Sequence, residues 1–248
     1  MLTLYGIHPV LEALKKRPKA FHRLFLSHEK GREDYRHIVS IAKASRIHTA
    51  FLPPKELSQL CGSEQHQGVV AEVEPIPLLA IEELVALWKK QDEKALFLIL
   101  DSIQDPQNFG SLIRSAYCCG ATGIIFPKDR AATVTGAVAK TSSGAIEYIP
   151  LCRVVNIAAT LEQLKKAGVW IVGTAPETKT SLYEFDFNLD VAVIIGAEGK
   201  GMRHLVTSKC DFCISIPMKG ELDSLNASVA GAVVLFEIMR QRAKSKRK

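Results

Sequence analysis

No stretch of this chain approaches the roughly 18 consecutive apolar residues that a membrane-spanning helix needs. The opening Met1-Leu2-Thr3-Leu4-Tyr5-Gly6 also lacks the basic-then-apolar order of a secretory signal, so a cytoplasmic protein is expected. Internal repeats and low-complexity segments are missing apart from a basic tail, which excludes repeat architectures. Six cysteines (Cys61, Cys118, Cys119, Cys152, Cys210, Cys213) follow no repeating frame, which argues against a disulfide scaffold and for reduced thiols in apolar surroundings. Cys210-Asp211-Phe212-Cys213 is formally a CxxC, but without a second pair or a nearby His set it reads as two thiols entering a strand rather than a metal or redox site. Six of the seven histidines lie in the first 75 residues without the spacing of metal ligands, so no metal is expected. Nucleotide fingerprints are absent as well. No GxGxxG follows the first strand of the large domain, and Gly196-Ala197-Glu198-Gly199-Lys200-Gly201 has neither that spacing nor GxxxxGK[ST], which argues against a phosphate cradle and a nicotinamide-dependent dehydrogenase.

What is present suits one or two globular domains: 248 residues, 47% hydrophobic and 23% charged. The net charge of +6 gathers at the ends, because residues 1–75 carry 11 Lys/Arg against 8 Asp/Glu and residues 243–248 carry 4 against none. A basic tail of this kind adds phosphate contacts or merely solubility. Residues 1–75 read as a small α/β unit: helix Gly6–Lys16, strand Arg23–Leu26, helix Glu33–Ser45, strand Ile47–Phe51, helix Lys55–Leu60 and strand Gly68–Val73. Glu74-Pro75-Ile76-Pro77 breaks regular structure, and residues 76–94 form a linker containing an amphipathic helix, Ile81–Lys90. Residues 95–242 then alternate helices with apolar strands at Leu96–Leu100, Gly123–Phe126, Ala145–Ile149, Val169–Gly173, Val191–Ile195 and Phe212–Ile216. That alternation predicts a parallel sheet covered on both faces.

Three segments stand at the ends of such strands, where open α/β sheets bind ligands. They are Asp105-Pro106-Gln107-Asn108-Phe109-Gly110 leading to Arg114, Gly196–Gly201, and Ile216-Pro217-Met218-Lys219-Gly220 followed by Ser224-Leu225-Asn226. Their glycines suit tight turns whose backbone approaches a ligand closely, enough to hold an adenosine by main-chain contacts. The side chains they offer are Asn108, Arg114, Glu198, Ser224 and Asn226. Helical phase puts Phe109, Leu112, Ile113, Ala116 and Tyr117 on one buried face and Arg114 off it. Ser224 is the expected cap of a final helix whose buried stripe would be Leu225, Val229, Ala232, Val233 and Phe236.

All three segments, in this order and spacing, resemble the motifs of the SpoU/TrmH family of RNA 2′-O-ribose methyltransferases within the SPOUT superfamily. Tyr5-Gly6-Ile7-His8-Pro9-Val10 and His66-Gln67-Gly68 are in turn similar to the substrate-binding domain of one branch of that family. The resemblance implies an α/β fold with a small N-terminal substrate-binding domain and a C-terminal SPOUT domain, in which the segment around Ile216–Asn226 is threaded into a deep trefoil knot. It implies a homodimer, and S-adenosylmethionine contacted by the main chain at Thr174, Gly196, Ile216 and Leu225. The substrate it implies is a guanosine ribose in large-subunit ribosomal RNA, with transfer RNA as the nearest alternative. A non-catalytic RNA-binding ribosome assembly factor is the distant alternative function, since it requires a damaged site and Asn108, Arg114, Glu198 and Asn226 are all present. A guanidinium stays charged at every working pH, so Arg114 is suited to stabilising a developing alkoxide or binding phosphate. Asn108, Glu198, Ser224 and Asn226 would then fix the ribose, the arginine and the loops, with Glu198 as general base the competing assignment. RNA contacts are expected from Arg17, Arg23 and Arg32 in the N-terminal unit and, on the resemblance alone, from His66.

Overall fold

The computed structural model describes residues 1–29, 35–176, 178–220 and 224–245; Arg32, the expected start of the second helix and the last three tail residues lie outside that set. In chain order the elements are β1 (Leu2–Tyr5), α1 (Ile7–Lys16), β2 (Phe21–Ser27), α2 (Arg36–Ala44), β3 (Thr49–Leu52), α3 (Pro54–Cys61), β4 (Val69–Val73) and α4 (Ile81–Trp88). They continue with β5 (Leu96–Asp101), α5 (Pro106–Cys118), β6 (Gly123–Pro127), α6 (Gly136–Thr141), β7 (Leu151–Val154), α7 (Ile157–Lys166), β8 (Trp170–Thr174), β9 (Val191–Gly196), α8 (His204–Thr207), β10 (Phe212–Ile214) and α9 (Ala227–Ser245). The chain divides into two compact units, Met1–Pro77 with Thr133–Tyr148, and Leu78–Ala132 with Ile149–Lys248. No described helix is long and apolar enough to cross a membrane.

The first unit is a four-stranded sheet in the order β1-β4-β2-β3, antiparallel except for the β2/β3 pair. The four-residue β1, too short to show a period, is an element the sequence reading did not anticipate. Residues 133–148, expected in the C-terminal domain, pack here instead. Gly136 of α6 lies so close to the Thr3 carbonyl that a β-carbon would collide with it. Arg17 grips Glu147 through Nε (2.5 Å) and Nη2 (3.1 Å), and the Tyr148 hydroxyl donates to Glu12 at 2.6 Å. This corrects the strand expected at Ala145–Ile149. Gly144 turns the chain in the left-handed region (φ 86°), Ala145–Glu147 is a single 3₁₀ turn, and the strand begins later, at Leu151.

The second unit is a six-stranded, wholly parallel sheet in the order β10-β8-β9-β5-β6-β7. β5 is buried at every residue, as a central strand covered on both faces requires. On one face Phe97, Ile99, Ile125 and Ile194 meet Leu84 and Trp88 of α4 and Ile157, Leu161 and Leu164 of α7. On the other face lie α5 and α9. Gly231 of α9 has no side chain where Leu112 of α5 approaches, which lets the two helices close on each other. From β5 the chain runs outward through β6 to β7, then returns to build β8, β9 and β10 on the other side. The switch in direction falls between β5 and β9, and the crevice at the C-terminal ends of those strands is where such sheets bind ligands.

The buried stripe of α9 differs from the expected one. Ala227, Gly231, Val234, Leu235 and Ile238 face the core, whereas Val229 and Phe236 are 49% and 46% exposed and Leu225 precedes the helix. The helix carries two apolar faces, and only packing selects the one turned inward. Tyr117, placed by helical phase on the buried side of α5, is likewise exposed.

Two of the six thiols, Cys119 and Cys152, are buried, and Cys61, Cys210 and Cys213 are partly so. Burial pushes Cys119 up to about 11 and Cys152 and Cys210 up to about 12, while Cys118 is exposed. Iodoacetamide at pH 8 is therefore expected to modify Cys118 first and to leave Cys152 and Cys210 unmodified until the protein unfolds. Peptide mass spectrometry of the native and denatured protein checks this, and early labelling of Cys210 would reopen a reactive role for the CxxC.

Candidate active site

Asp101 and Gly196, the last residues of β5 and β9, are register partners, so the loops that leave these strands start side by side. After β5 the chain turns through Ser102 (φ 66°) into α5, where Asp105 caps the helix by accepting from the Gln107 and Asn108 N–H groups at 3.0 and 3.4 Å. Pro106 occupies the first helical position, where a missing N–H costs nothing. With Asp105 as the cap, the Asn108 side chain is released for another use. Its Nδ2 donates to Glu198 Oε1 at 2.8 Å, and its Oδ1 accepts from Asn226 Nδ2 at 3.0 Å.

Glu198 joins all three loops. Besides Asn108, its Oε1 accepts from Asn226 Nδ2 at 2.5 Å and from the Ala227 backbone N–H at 3.3 Å. Asn226 in turn uses Oδ1 to cap α9, accepting from the Ser228 N–H (2.9 Å), the Ser228 hydroxyl (2.6 Å) and the Val229 N–H (3.2 Å). Its amide is thereby fixed at both ends. Asn226, not Ser224, is the cap; α9 begins at Ala227, and Ser224 lies exposed two residues ahead of the cap. Arg114 is exposed on α5, six residues beyond Asn108 and off the face that packs against the sheet.

The glycine loop is folded tightly on itself. Ala197 and Gly201 exchange backbone hydrogen bonds (3.1 and 2.8 Å), and Gly199 and Gly201 adopt left-handed φ values of 69° and 63°. A β-carbon on Gly196 would collide with the backbone of Gly201 and Met202. Sequence reading missed what closes this loop. Asp101 is fully buried, accepting from the Arg203 backbone N–H through Oδ2 (2.8 Å) and from Arg203 Nε through Oδ1 (2.7 Å). The available signal was a lone carboxylate ending the apolar run Leu96–Leu100.

Of the main-chain positions expected to meet a cofactor, Thr174 ends β8 with its hydroxyl donating to the Ile194 carbonyl (2.9 Å). Gly196 ends β9, Ile216 follows β10, and Leu225 adjoins Asn226, so all four belong to the same edge of the sheet. The residues expected to bind RNA fare differently. His66 is only 6% exposed; its Nδ1 accepts from the Gly68 N–H at 2.9 Å and its Nε2 lies 3.2 Å from the Ser58 hydroxyl. Its ring builds the turn before β4 instead of facing solvent. Arg17 is committed to Glu147 and the Glu74 carbonyl, which removes it from the surface set. Arg23 remains exposed, 3.9 Å from Glu72.

The site is thus framed by a parallel sheet whose switch-point loops are joined by two asparagines and a glutamate, with an exposed arginine further along α5. The SpoU rRNA Methylase family matches residues 95–236, and the RNA 2′-O ribose methyltransferase substrate binding family matches residues 3–79. The chain belongs to the SpoU methylase family. It is 41% identical over 240 residues to the 23S rRNA (guanosine-2′-O-)-methyltransferase RlmB of Coxiella burnetii, covering 97% of this chain and 96% of that protein. Identity is 43% over 241 residues to the RlmB of Shewanella oneidensis, covering 96% and 97%. Among solved structures, the SpoU methyltransferase AviRb from Streptomyces viridochromogenes, in complex with the cofactor AdoMet, superposes with a TM-score of 0.81 at 27% identity, covering 98% of this chain and 90% of that one.

Proposed function

We propose that this protein methylates the 2′-oxygen of a guanosine ribose in large-subunit ribosomal RNA, with S-adenosylmethionine as methyl donor. The observation that carries the reading is the Asn108–Glu198–Asn226 cluster, which ties three strand-end loops into one site. The RlmB relatives support the substrate, since they match this chain over nearly its whole length. The cofactor fits the structure: Thr174, Gly196, Ile216 and Leu225 lie along one sheet edge, and Gly196 keeps side-chain bulk away from its own turn. When bound, the sulfonium supplies an electrophilic methyl group. The chain's own residues then have to align the ribose hydroxyl and make it more nucleophilic, tasks in which positioning supplies much of the rate.

Arg114 is assigned to the hydroxyl. A fixed guanidinium stabilises negative charge developing on the 2′-oxygen and binds the adjoining phosphate. Glu198 is assigned to positioning, because the described bonds to its Oε1 all come from N–H donors that belong to other loops. The family reading carries further parts: a homodimer, a knot around Ile216–Asn226, and a cytoplasmic location with the ribosomal RNA. Val229, Phe236 and Met239, spaced to share one face of α9 and 39–49% exposed, support the dimer as the apolar surface a second copy would cover. Ser215, a parallel bridge partner of Ser181 that donates its N–H to Thr180 and accepts from the Leu182 N–H, fixes the start of the Ile216–Asn226 segment alongside residues 180–182. Arg23 and Arg32, the latter outside the described residues, are the remaining RNA contacts proposed for the first unit.

The test is transfer of labelled methyl from S-adenosylmethionine to protein-free large-subunit ribosomal RNA and, in parallel, to transfer RNA, with nucleoside analysis. Label recovered as 2′-O-methylguanosine from ribosomal RNA alone is expected, and label on transfer RNA would move the substrate assignment. Arg114→Ala is expected to lower turnover by about 100-fold or more while leaving RNA affinity within a few-fold of wild type. Near wild-type turnover in a variant that binds RNA normally would remove Arg114 from its assigned role.

A further inference from the structure

One residue, Asp101, meets both ends of the glycine loop, the entrance through its backbone and the exit through its buried carboxylate. At the entrance, Asp101 is the backbone register partner of Gly196 on the neighbouring strand. At the exit, its side chain receives the Arg203 backbone N–H on Oδ2 and Arg203 Nε on Oδ1, while Ser102 Oγ donates to Oδ1 at 3.3 Å. The carboxylate is 0% exposed and the Arg203 side chain 42% exposed, so the ion pair runs from the interior to the surface at the rim of the site. A buried carboxylate without such donors carries a large desolvation penalty, which makes this arrangement the one the loop settles into. Directly after Asp101, Ser102 adopts φ 66°, a left-handed conformation that a non-glycine residue holds only where its surroundings enforce it.

The loop between these anchors has little freedom of its own. Ala197 and Gly201 are cross-bonded, and Gly196 lies against the Gly201–Met202 backbone with no room for a β-carbon. Displacing Arg203 therefore displaces Gly201 and Met202, then Gly196, and with them Glu198 at the tip. We propose that Asp101 and Arg203 are positioning residues for methyl transfer: the pair sets the loop shape that presents the Gly196 backbone to the cofactor and Glu198 to Asn108 and Asn226. This rests on the methyltransferase reading above and adds two residues that touch neither reacting atom.

The experiment compares wild type with Arg203→Met, Arg203→Lys and Asp101→Asn. It combines backbone hydrogen exchange of residues 196–203 in the ligand-free protein, calorimetric binding of S-adenosylmethionine, and steady-state kinetics. Arg203→Met keeps the aliphatic stem and the backbone bond but removes the guanidinium. It is expected to speed exchange at the Ala197, Gly201 and Arg203 amides about tenfold and to weaken cofactor binding about tenfold, as the loss of one charge-assisted hydrogen bond would. Exchange in β5 and β6 should stay at wild-type rates, the KM for S-adenosylmethionine should rise, and kcat should fall as well. Arg203→Lys, which restores charge without the planar fork, should lie between. Wild-type loop exchange and cofactor affinity in folded Arg203→Met would overturn the proposal. So would a loss spread evenly over the whole sheet with KM unchanged, the signature of a role in stability alone. If Asp101→Asn does not fold, Arg203→Met decides. If the wild type binds no S-adenosylmethionine, the methyltransferase reading fails by itself, and the ligand-free exchange still decides whether the pair shapes the loop.

Discussion

Glu198→Ala is expected to lower the single-turnover rate of methyl transfer by about 100-fold, because misplacing a catalytic group by roughly 1 Å costs that much. Glu198 Oε1 is the shared acceptor for Asn108 Nδ2, Asn226 Nδ2 and the Ala227 N–H. Without it, Asn108 and Asn226 keep their own contact at 3.0 Å but lose their tie to the tip of the loop that follows β9. Glu198 is exposed and water can replace it at each donor, so the melting temperature should move little, by about 1 kcal/mol equivalent or less. A large kinetic effect with a small stability effect is the pattern to measure, by rapid-quench transfer and thermal unfolding on one preparation. More than half the wild-type rate would sink the positioning role. Glu198→Gln separates positioning from base catalysis: a pH–rate profile of unchanged shape at a lower rate fits positioning, whereas loss of the acidic limb would make Glu198 the base.

The largest stability effect is expected at the far end of the same sheet, where Arg242 of α9 donates to four carbonyls: Phe187 (3.3 Å), Lys94 (3.1 Å), Ala95 (2.7 Å) and Leu189 (2.9 Å). These oxygens precede β5 and β9, so one guanidinium fastens the last helix to the starts of the two central strands. Burial pulls the Arg242 pKa down, opposed by the charges of Asp190 and Glu93. Gln241 reinforces the joint, donating to the Phe185 carbonyl and accepting from the Phe187 N–H, each at 3.0 Å. Arg242→Met keeps the stem and leaves those carbonyls without their donor, at an expected cost of about 2–3 kcal/mol. For a chain of this size that corresponds to a fall of roughly 4–12 °C in melting temperature. Arg242→Lys should recover part of it, since an ammonium reaches fewer carbonyls than a planar fork. A melting temperature within 1 °C or so of wild type for Arg242→Met would show that water satisfies the carbonyls unaided.

The site was legible to the extent that its residues stand in runs with distinctive chemistry. Asn108, Arg114, Glu198 and Asn226 announce themselves as polar groups in loops that end apolar strands, and the structure joins three of the four directly by hydrogen bonds. Asp101 and Arg203 went unread because their pairing spans 102 residues and neither belongs to a local pattern. Arg17 looked like a surface group for RNA because its partner Glu147 stands 130 residues away and is supplied by the fold, whereas His66, assigned to RNA on the resemblance alone, bonds its neighbours Gly68 and Ser58.

Local periodicity and turn chemistry, acting over a few residues, by themselves determined the strands at Leu96–Leu100, Gly123–Phe126 and Val191–Ile195, each one residue short of its observed end, a helix through residues 108–119, and the placing of the three motifs at strand ends. Tertiary structure alone decided which apolar face of α9 turns inward, that residues 133–148 join the first unit, and that Asn226 rather than Ser224 caps the last helix. The physical reason is the range of the forces involved. A helix or strand is selected by neighbours within one or two turns, whereas a buried face, an ion pair across 130 residues or a shared carboxylate gains free energy only when distant segments already lie together.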